Sequence, residues 1–212
     1  MVSDEKKYES RVYHLENSAV FKKTTEKWGG LSNMASGFPL FVSGISIRSS
    51  EALYQACRYP HLPSVQEKII SQTSPMTAKM VGKPFRDQTR DDWLQTRVII
   101  MKWCLRVKLI QNFEKFSDIL KRTGDLQIVE NSNKDDFWGA KPTDINTFVG
   151  INALGRLLME LREQLDNGNT DDFISILPPK IDNFLICGHP IEIVKREDNL
   201  RISKQLGMLD FD

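Results

Sequence analysis

The alternation of apolar and polar positions changes period along the chain, and each change marks an element. Phe38-Pro39-Leu40-Phe41-Val42 and Ile45-Ser46-Ile47 are short apolar runs separated by Ser43-Gly44, a two-residue connection that predicts a β-hairpin. Helical spacing follows, with Ser50 placed to cap a helix over 51–58 that Pro60 ends. Pro63 and Pro75 each stand where the first position of a further helix is expected, and Ser74 precedes the second as its cap. From about 91 to 110, Leu94, Val98, Met101, Leu105 and Leu109 recur at spacings of 4, 3, 4 and 4, the apolar stripe of a long helix. A shorter helix carries Phe113, Phe116 and Leu120 and stops at Gly124. Residues 126–130 read as a strand and 131–142 as a polar loop containing Trp138. Ile151, Leu154, Leu158, Leu161 and Leu165 form the apolar face of a last helix closed by Gly168. Beyond Asp171 the pattern weakens into short apolar runs, with one hairpin turning at Gly188-His189-Pro190. The prediction is a helix-rich α+β single domain with a small sheet. It divides into an N-terminal arm (1–19), a body (20–170) and a C-terminal extension (171–212).

Composition narrows the function classes. The 212 residues carry 29 Lys and Arg against 28 Asp and Glu, so no global field selects a polyanionic partner. No window approaches eighteen consecutive apolar residues, and the polar start MVSDEKKYES lacks the apolar core of a signal peptide. The expectation is a protein without a membrane partner in a cytoplasmic, reducing compartment. The three cysteines, Cys57, Cys104 and Cys187, lie far apart and give no disulfide framework. His14, His61 and His189 are equally scattered, so no metal site and no cofactor is expected. Charge is uneven locally: 79–122 holds 11 basic and 5 acidic residues, a surplus of +6 that leaves −5 for the rest. Such a segment either binds phosphates or is a solvated basic face.

Four constellations combine polar groups with glycines or aromatics. In Trp28-Gly29-Gly30-Leu31-Ser32-Asn33, the paired glycines Gly29 and Gly30 let backbone N–H groups approach a ligand and Asn33 offers an amide, or else the segment is a plain turn. Glu51 stands in the first turn of its helix, stabilised there by the helix dipole or else facing a pocket as an acid–base group. Ser74-Pro75-Met76-Thr77-Ala78-Lys79, continuing to Lys83 and Arg86, places cations on successive turns for a phosphate or for solvent. The loop Asn133-Lys134-Asp135-Asp136-Phe137-Trp138-Gly139-Ala140-Lys141 crowds two carboxylates, a lysine and a stacking surface. Its alternative use is structural, with Asx turns and a buried tryptophan. No GxSxG surrounds a serine, and no cysteine has a histidine at an informative position.

Read in order, these segments resemble the NADAR superfamily. The resemblance is carried by Gly30-Leu31-Ser32-Asn33, Ser50-Glu51-Ala52-Leu53-Tyr54-Gln55-Ala56, Ser74-Pro75-Met76-Thr77-Ala78-Lys79-Met80-Val81-Gly82 and Asp92-Trp93. It continues through Asp135-Asp136-Phe137-Trp138-Gly139 and Asn152-Ala153-Leu154-Gly155-Arg156-Leu157-Leu158-Met159-Glu160-Leu161-Arg162. Together they span roughly residues 20–165.

The resemblance implies an N-glycosidase fold with a pocket for an ADP-ribose-like or nucleotide-like ligand. One branch of the family acts on phosphorylated riboflavin-pathway intermediates. Another removes ADP-ribose from guanine in DNA and pairs with an ADP-ribosyltransferase toxin. The wording of this chain is closer to the second, whose substrate is an ADP-ribose-bearing nucleic acid. A small nucleotide substrate and a non-catalytic ADP-ribose-binding module are the alternatives. Arg58 departs from the lysine that many relatives carry there, and residues beyond about 170 have no counterpart in the short relatives.

Cleaving a ribosyl–nitrogen bond builds positive charge at the anomeric carbon, so the site needs an anion near the ribose and donors for phosphate. The resemblance assigns Glu51 as the carboxylate beside the ribose and Asp135 as an orienter or proton relay. Trp138 and Trp93 would wall the base or ribose. Lys79, Lys83 and Arg86 would hold phosphate, and Asn33 a ribose hydroxyl or base edge, with Gly30, Ser32, Asp136 and Lys141 completing the set. A variant mechanism opens the ribose ring and forms a Schiff base on Lys79 or Lys141.

Overall fold

The computed structural model describes residues 8–168, 170–198 and 200–201. Residues 1–7 of the expected arm and 202–212 of the expected extension lie outside the described residues. The fold is a helix-rich α+β arrangement with several small sheets. Its strands are β1 (Arg11–His14), β2 (Ser18–Phe21), β3 (Leu40–Val42), β4 (Ile45–Ile47), β5 (Gln127–Glu130), β6 (Lys141–Pro142), β7 (Thr147–Gly150), β8 (Ser175–Ile176), β9 (Leu185–Ile186), β10 (His189–Pro190) and β11 (Val194–Lys195). Its helices are α1 (Ser50–Ala56), α2 (Pro63–Ile70), α3 (Pro75–Val81), α4 (Trp93–Gln111), α5 (Phe113–Lys121) and α6 (Ala153–Asn167). Two compact units draw on separated stretches, one on residues 8–32 and 117–168, the other on 33–116 and the described residues after 169.

In the first unit, β7 lies between β1 and β6 in an antiparallel sheet, with Arg11 opposite Gly150, and β2 pairs in parallel with β5. Tyr13, Val129, Ala140 and Phe148 make its small core. The segment 131–142, expected as loop throughout, ends in β6 and adds a bridge between Asn131 and Ala140. Its carbonyls explain how α6 begins. Asp136, Phe137, Trp138 and Gly139 accept hydrogen bonds from the N–H groups of Ile151, Ala153, Leu154 and Asn152 at 2.7–3.0 Å, so the orphan donors of a helix start are met by another loop. Ile151 therefore precedes α6 rather than heading its apolar face. Asn152 adopts a left-handed conformation (φ 52°) and clamps β5, donating to Ile128 O at 2.8 Å while its Oδ1 accepts from Glu130 N. Gly155 lets α6 approach β5 closely: a Cβ there would sit 2.0 Å from Ile128 O.

The second unit is built around α4. The expected stripe holds at Met101, Leu105 and Leu109, but Leu94 is 70% exposed. The reason is position. From Ile100 onward α4 is surrounded by α1, β3, β8 and β11, and apolar residues cover more than one of its faces. Lys108 is drawn into this core between the Phe38 and Phe116 rings, 4.3 and 4.2 Å from their centroids. Burial, with Lys115 nearby, pushes its ammonium well below the usual lysine range. Arg90 is likewise buried and bound to Asp92, so the basic surplus of 79–122 is not a continuous surface field.

The β3–β4 hairpin turns at Ser43-Gly44, both at positive φ (48° and 84°), as the two-residue connection requires. The cap of α1 is Ser49, one residue before the expected Ser50: its side chain accepts from Ala52 N. Pro63 and Pro75 open α2 and α3, and Ser74 caps the latter. After residue 170 the β9–β10 turn falls at Cys187-Gly188 (φ 47° and 85°), ahead of the predicted Gly188-His189-Pro190, because the two left-handed residues set it. Two buried glutamine side chains tie this segment to the unit. Gln66 donates to Leu185 O and accepts from Cys187 N, and Gln111 donates to Lys195 O while pairing with the backbone of Phe41.

Candidate functional site

The second unit contains a polar cluster inside a helix that is otherwise core. Every residue of α1 is buried, yet Glu51, Tyr54, Gln55 and Arg58 follow at i, i+3, i+4 and i+7 and so share one side. Glu51 is 6% exposed, and Gln55 Nε2 donates to its Oε1 at 2.9 Å. Burial pushes the Glu51 carboxyl above the ordinary carboxylate range, and Lys79, the Gln55 amide and Arg58 pull it back only in part. Burial, followed by the Glu51 charge, holds the Tyr54 phenol well above its usual value. Cys104 on α4 is raised in the same way by burial and by its hydrogen-bonded neighbour Cys57, which makes the Cys104 thiol a poor nucleophile.

Around this carboxyl the other expected residues take different stations. Lys79 projects from α3, which packs on α1, and is exposed, as are Lys83 and Arg86 in the turn that follows. These three cations form no ion pair among the described residues. Trp93 is packed between protein groups, its ring 5.1 Å from Tyr54 and 4.8 Å from the Arg58 guanidinium. Asn33 is buried, with its amide engaged internally: Oδ1 accepts from Ser50 Oγ at 3.0 Å and Nδ2 donates to Met101 Sδ at 2.8 Å.

The remaining expected residues belong to the first unit. Gly30 lies in a short turn over Gly29–Leu31, and Ser32, buried, ends it by donating its N–H to Gly29 O. Asp135 is exposed, and its Oδ1 accepts from the N–H groups of Phe137 and Trp138 at 3.0 and 2.9 Å, an Asx-type turn. Asp136 pairs with Lys141 at 2.7 Å, a bond that lowers the aspartate's pKa. Trp138 is half-buried and meets Phe137 edge to face. Gly139 of this motif serves close packing, since a Cβ there would lie 2.5 Å from Glu130 O.

Tyr54, Gln55, Ser50 and Met101 were absent from the expected site, and Arg58 entered only as a departure from the family. The i, i+3, i+4, i+7 polar spacing from Glu51 was a readable signal for all but Ser50 and Met101. The second unit also holds a cleft of about 680 Å³ lined by His61, Asp87, Arg90, Asp91 and Asp182 among others, and Glu51 is not part of it.

A buried acid with a raised pKa, bordered by cations and an amide, defines a class of site suited to proton transfer beside an anionic ligand. Comparison with known proteins gives the class its family. A model of the NADAR domain matches residues 20–166. N-glycosidase YbiA of Escherichia coli is 32% identical over 157 residues, covering 73% of this chain and 94% of its own. A riboflavin biosynthesis protein of Vibrio vulnificus is 34% identical over 160 residues and 74% of this chain, which spans only 41% of that protein's length. The solution structure of E. coli YbiA superposes with a TM-score of 0.60 at 30% identity, over 71% of this chain and 86% of that one. The chain belongs to the NADAR family.

Proposed function

We propose that this protein is an N-glycosidase that hydrolyses a ribosyl–base bond, with ADP-ribose attached to guanine in DNA as its substrate. The observation that carries the reading is Glu51: a buried carboxyl with a raised pKa, in a family whose relatives include proteins named N-glycosidases. In the proposed reaction the C1–N bond breaks with its electron pair going to the base nitrogen. Water adds its oxygen to C1, and one water proton passes to the departing base. Glu51 relays that proton and, when ionised, stabilises the positive charge that builds at C1.

Lys79, Lys83 and Arg86, exposed and in no ion pair among the described residues, support a polyanionic substrate. Of the two lysines that could form a Schiff base, Lys141 is engaged by Asp136 at 2.7 Å, an ion pair that imine formation would break, which leaves Lys79 as the lysine for that variant.

Phosphorylated riboflavin-pathway intermediates are the second reading, favoured by the likeness to the Vibrio protein. The test incubates the protein with a guanine-ADP-ribosylated oligonucleotide and, separately, with phosphorylated ribosylaminopyrimidine, following products by mass spectrometry at low and high salt. Release of ADP-ribose from the oligonucleotide, weakening as salt rises, supports the first reading. Cleavage of the small substrate alone, with little salt dependence, moves the protein to the second. Binding of ADP-ribose with no cleavage of either leaves a binding module.

A further inference from the structure

We infer that Asn33, Ser50 and Met101 form a clamp that positions Glu51, acting on the carboxyl's placement rather than on a ligand. Three observations converge on it. The backbone carbonyl of Asn33 accepts from Glu51 N at 3.2 Å and from Ser50 Oγ at 3.3 Å, so one residue outside the helix fixes two consecutive residues of its first turn. The same Ser50 hydroxyl reaches Asn33 Oδ1 at 3.0 Å. The Asn33 amide nitrogen is held by the Met101 thioether, which anchors the assembly to the buried part of α4.

Asn33 is 3% exposed and Ser50 1%. A loop amide buried this deeply, with both ends engaged, is not offered to a substrate. Its effect is to fix the rotation of α1 about its own axis, and with it the direction of the Glu51 side chain. A turn pinned in this way also excludes water from around the carboxyl, which keeps it apart from an ordinary surface glutamate.

The catalytic consequence rests on the N-glycosidase reading, but the clamp itself is testable without it. The groups that face or influence Glu51 are Lys79 from α3, Tyr54, Gln55 and Arg58 from α1 and the residues after it, and Cys104 from α4. None of them is changed in Ser50→Ala or Asn33→Ala. The primary readout is the titration of the Glu51 carboxyl followed by carbon-13 NMR of the full chain, with Glu51→Gln used to assign the signal.

In the unaltered protein the carboxyl titrates above the ordinary range. In Ser50→Ala and Asn33→Ala it moves down toward that range, because a loosened first turn admits water. A glycosidase assay on whichever substrate is cleaved then shows kcat falling about tenfold with KM unchanged. If Asn33→Ala does not fold, Ser50→Ala carries the test alone. A Glu51 titration unmoved in a folded Ser50→Ala overturns the clamp, as does a rise in KM with kcat and titration intact, which would return Asn33 to the ligand. Loss of N-glycosidase activity in the unaltered protein would defeat the functional reading and leave the titration as a valid test.

Discussion

Glu51 and Asp135 were both expected as catalytic carboxylates, and the protein uses them in opposite ways. Glu51 sits on a fully buried helix, receives one amide donor and keeps an elevated pKa. Asp135 lies on an exposed loop, where one oxygen accepts two successive backbone N–H groups and closes a turn. The first arrangement withholds solvation and so raises the carboxyl's pKa; the second uses hydrogen-bonding capacity to shape a backbone. A carboxylate's chemistry here follows from its surroundings more than from its place in a motif.

Changes at these two places sharpen the contrast, beginning with the scaffold behind the Asp135 loop. Gly155→Ala forces a methyl against Ile128 O and the Asn152 amide, so α6 must separate from β5. Thermal unfolding will show a loss of about 3 kcal/mol. Asp135→Ala removes the acceptor for Phe137 and Trp138 N–H and costs about 1 kcal/mol. Asp135→Asn retains an acceptor oxygen and will unfold within experimental error of the parent. A large loss in the Asn variant would mean that the charge, not the turn, is what the fold requires.

At Glu51 the sign is reversed. Its carboxyl holds a proton to higher pH in the folded chain than in the unfolded one, so the unfolded state loses its proton first as pH rises. Stability therefore falls across the interval from the ordinary carboxylate value up to the raised one. Glu51→Gln escapes that loss and is predicted to be about 1 kcal/mol more stable at neutral pH, with the advantage vanishing in acid, where both states of the parent are protonated. Thermal melts at several pH values check this. Lys79→Ala is the mildest change. It leaves stability within about 0.5 kcal/mol, because the side chain is exposed, but raises the Glu51 titration further by removing a cation that lowers it.

The helices were legible because their signals are local. Pro63, Ser74-Pro75 and Gly124 mark ends through the chemistry of neighbouring residues, and the Ser43-Gly44 turn carries its geometry in two positions. The shift from Ser50 to Ser49 as the α1 cap is a one-residue slip between two serines with equivalent side chains. What local pattern did not carry was pairing across the chain. β1 meets β7 through Arg11 and Gly150, and no periodicity in either strand specifies that register. The use of Asn33 was hidden for the same reason: its partners Ser50 and Met101 lie 17 and 68 residues away. The spacing of residues within its own motif says nothing of those partners. Glu51 itself was legible as a candidate. Its elevated pKa was not, since burial of an acidic residue in the first turn of a helix depends on everything packed around that helix.

The measurement that bears most directly on the account is the pH dependence of single-turnover N-glycosidic cleavage by the parent protein and by folded Glu51→Gln. The account predicts a limb in the parent that tracks the raised Glu51 titration, and a rate lower by about 10²–10⁴-fold, without that limb, in the Gln variant. Equal rates, or the same limb in both proteins, would contradict it.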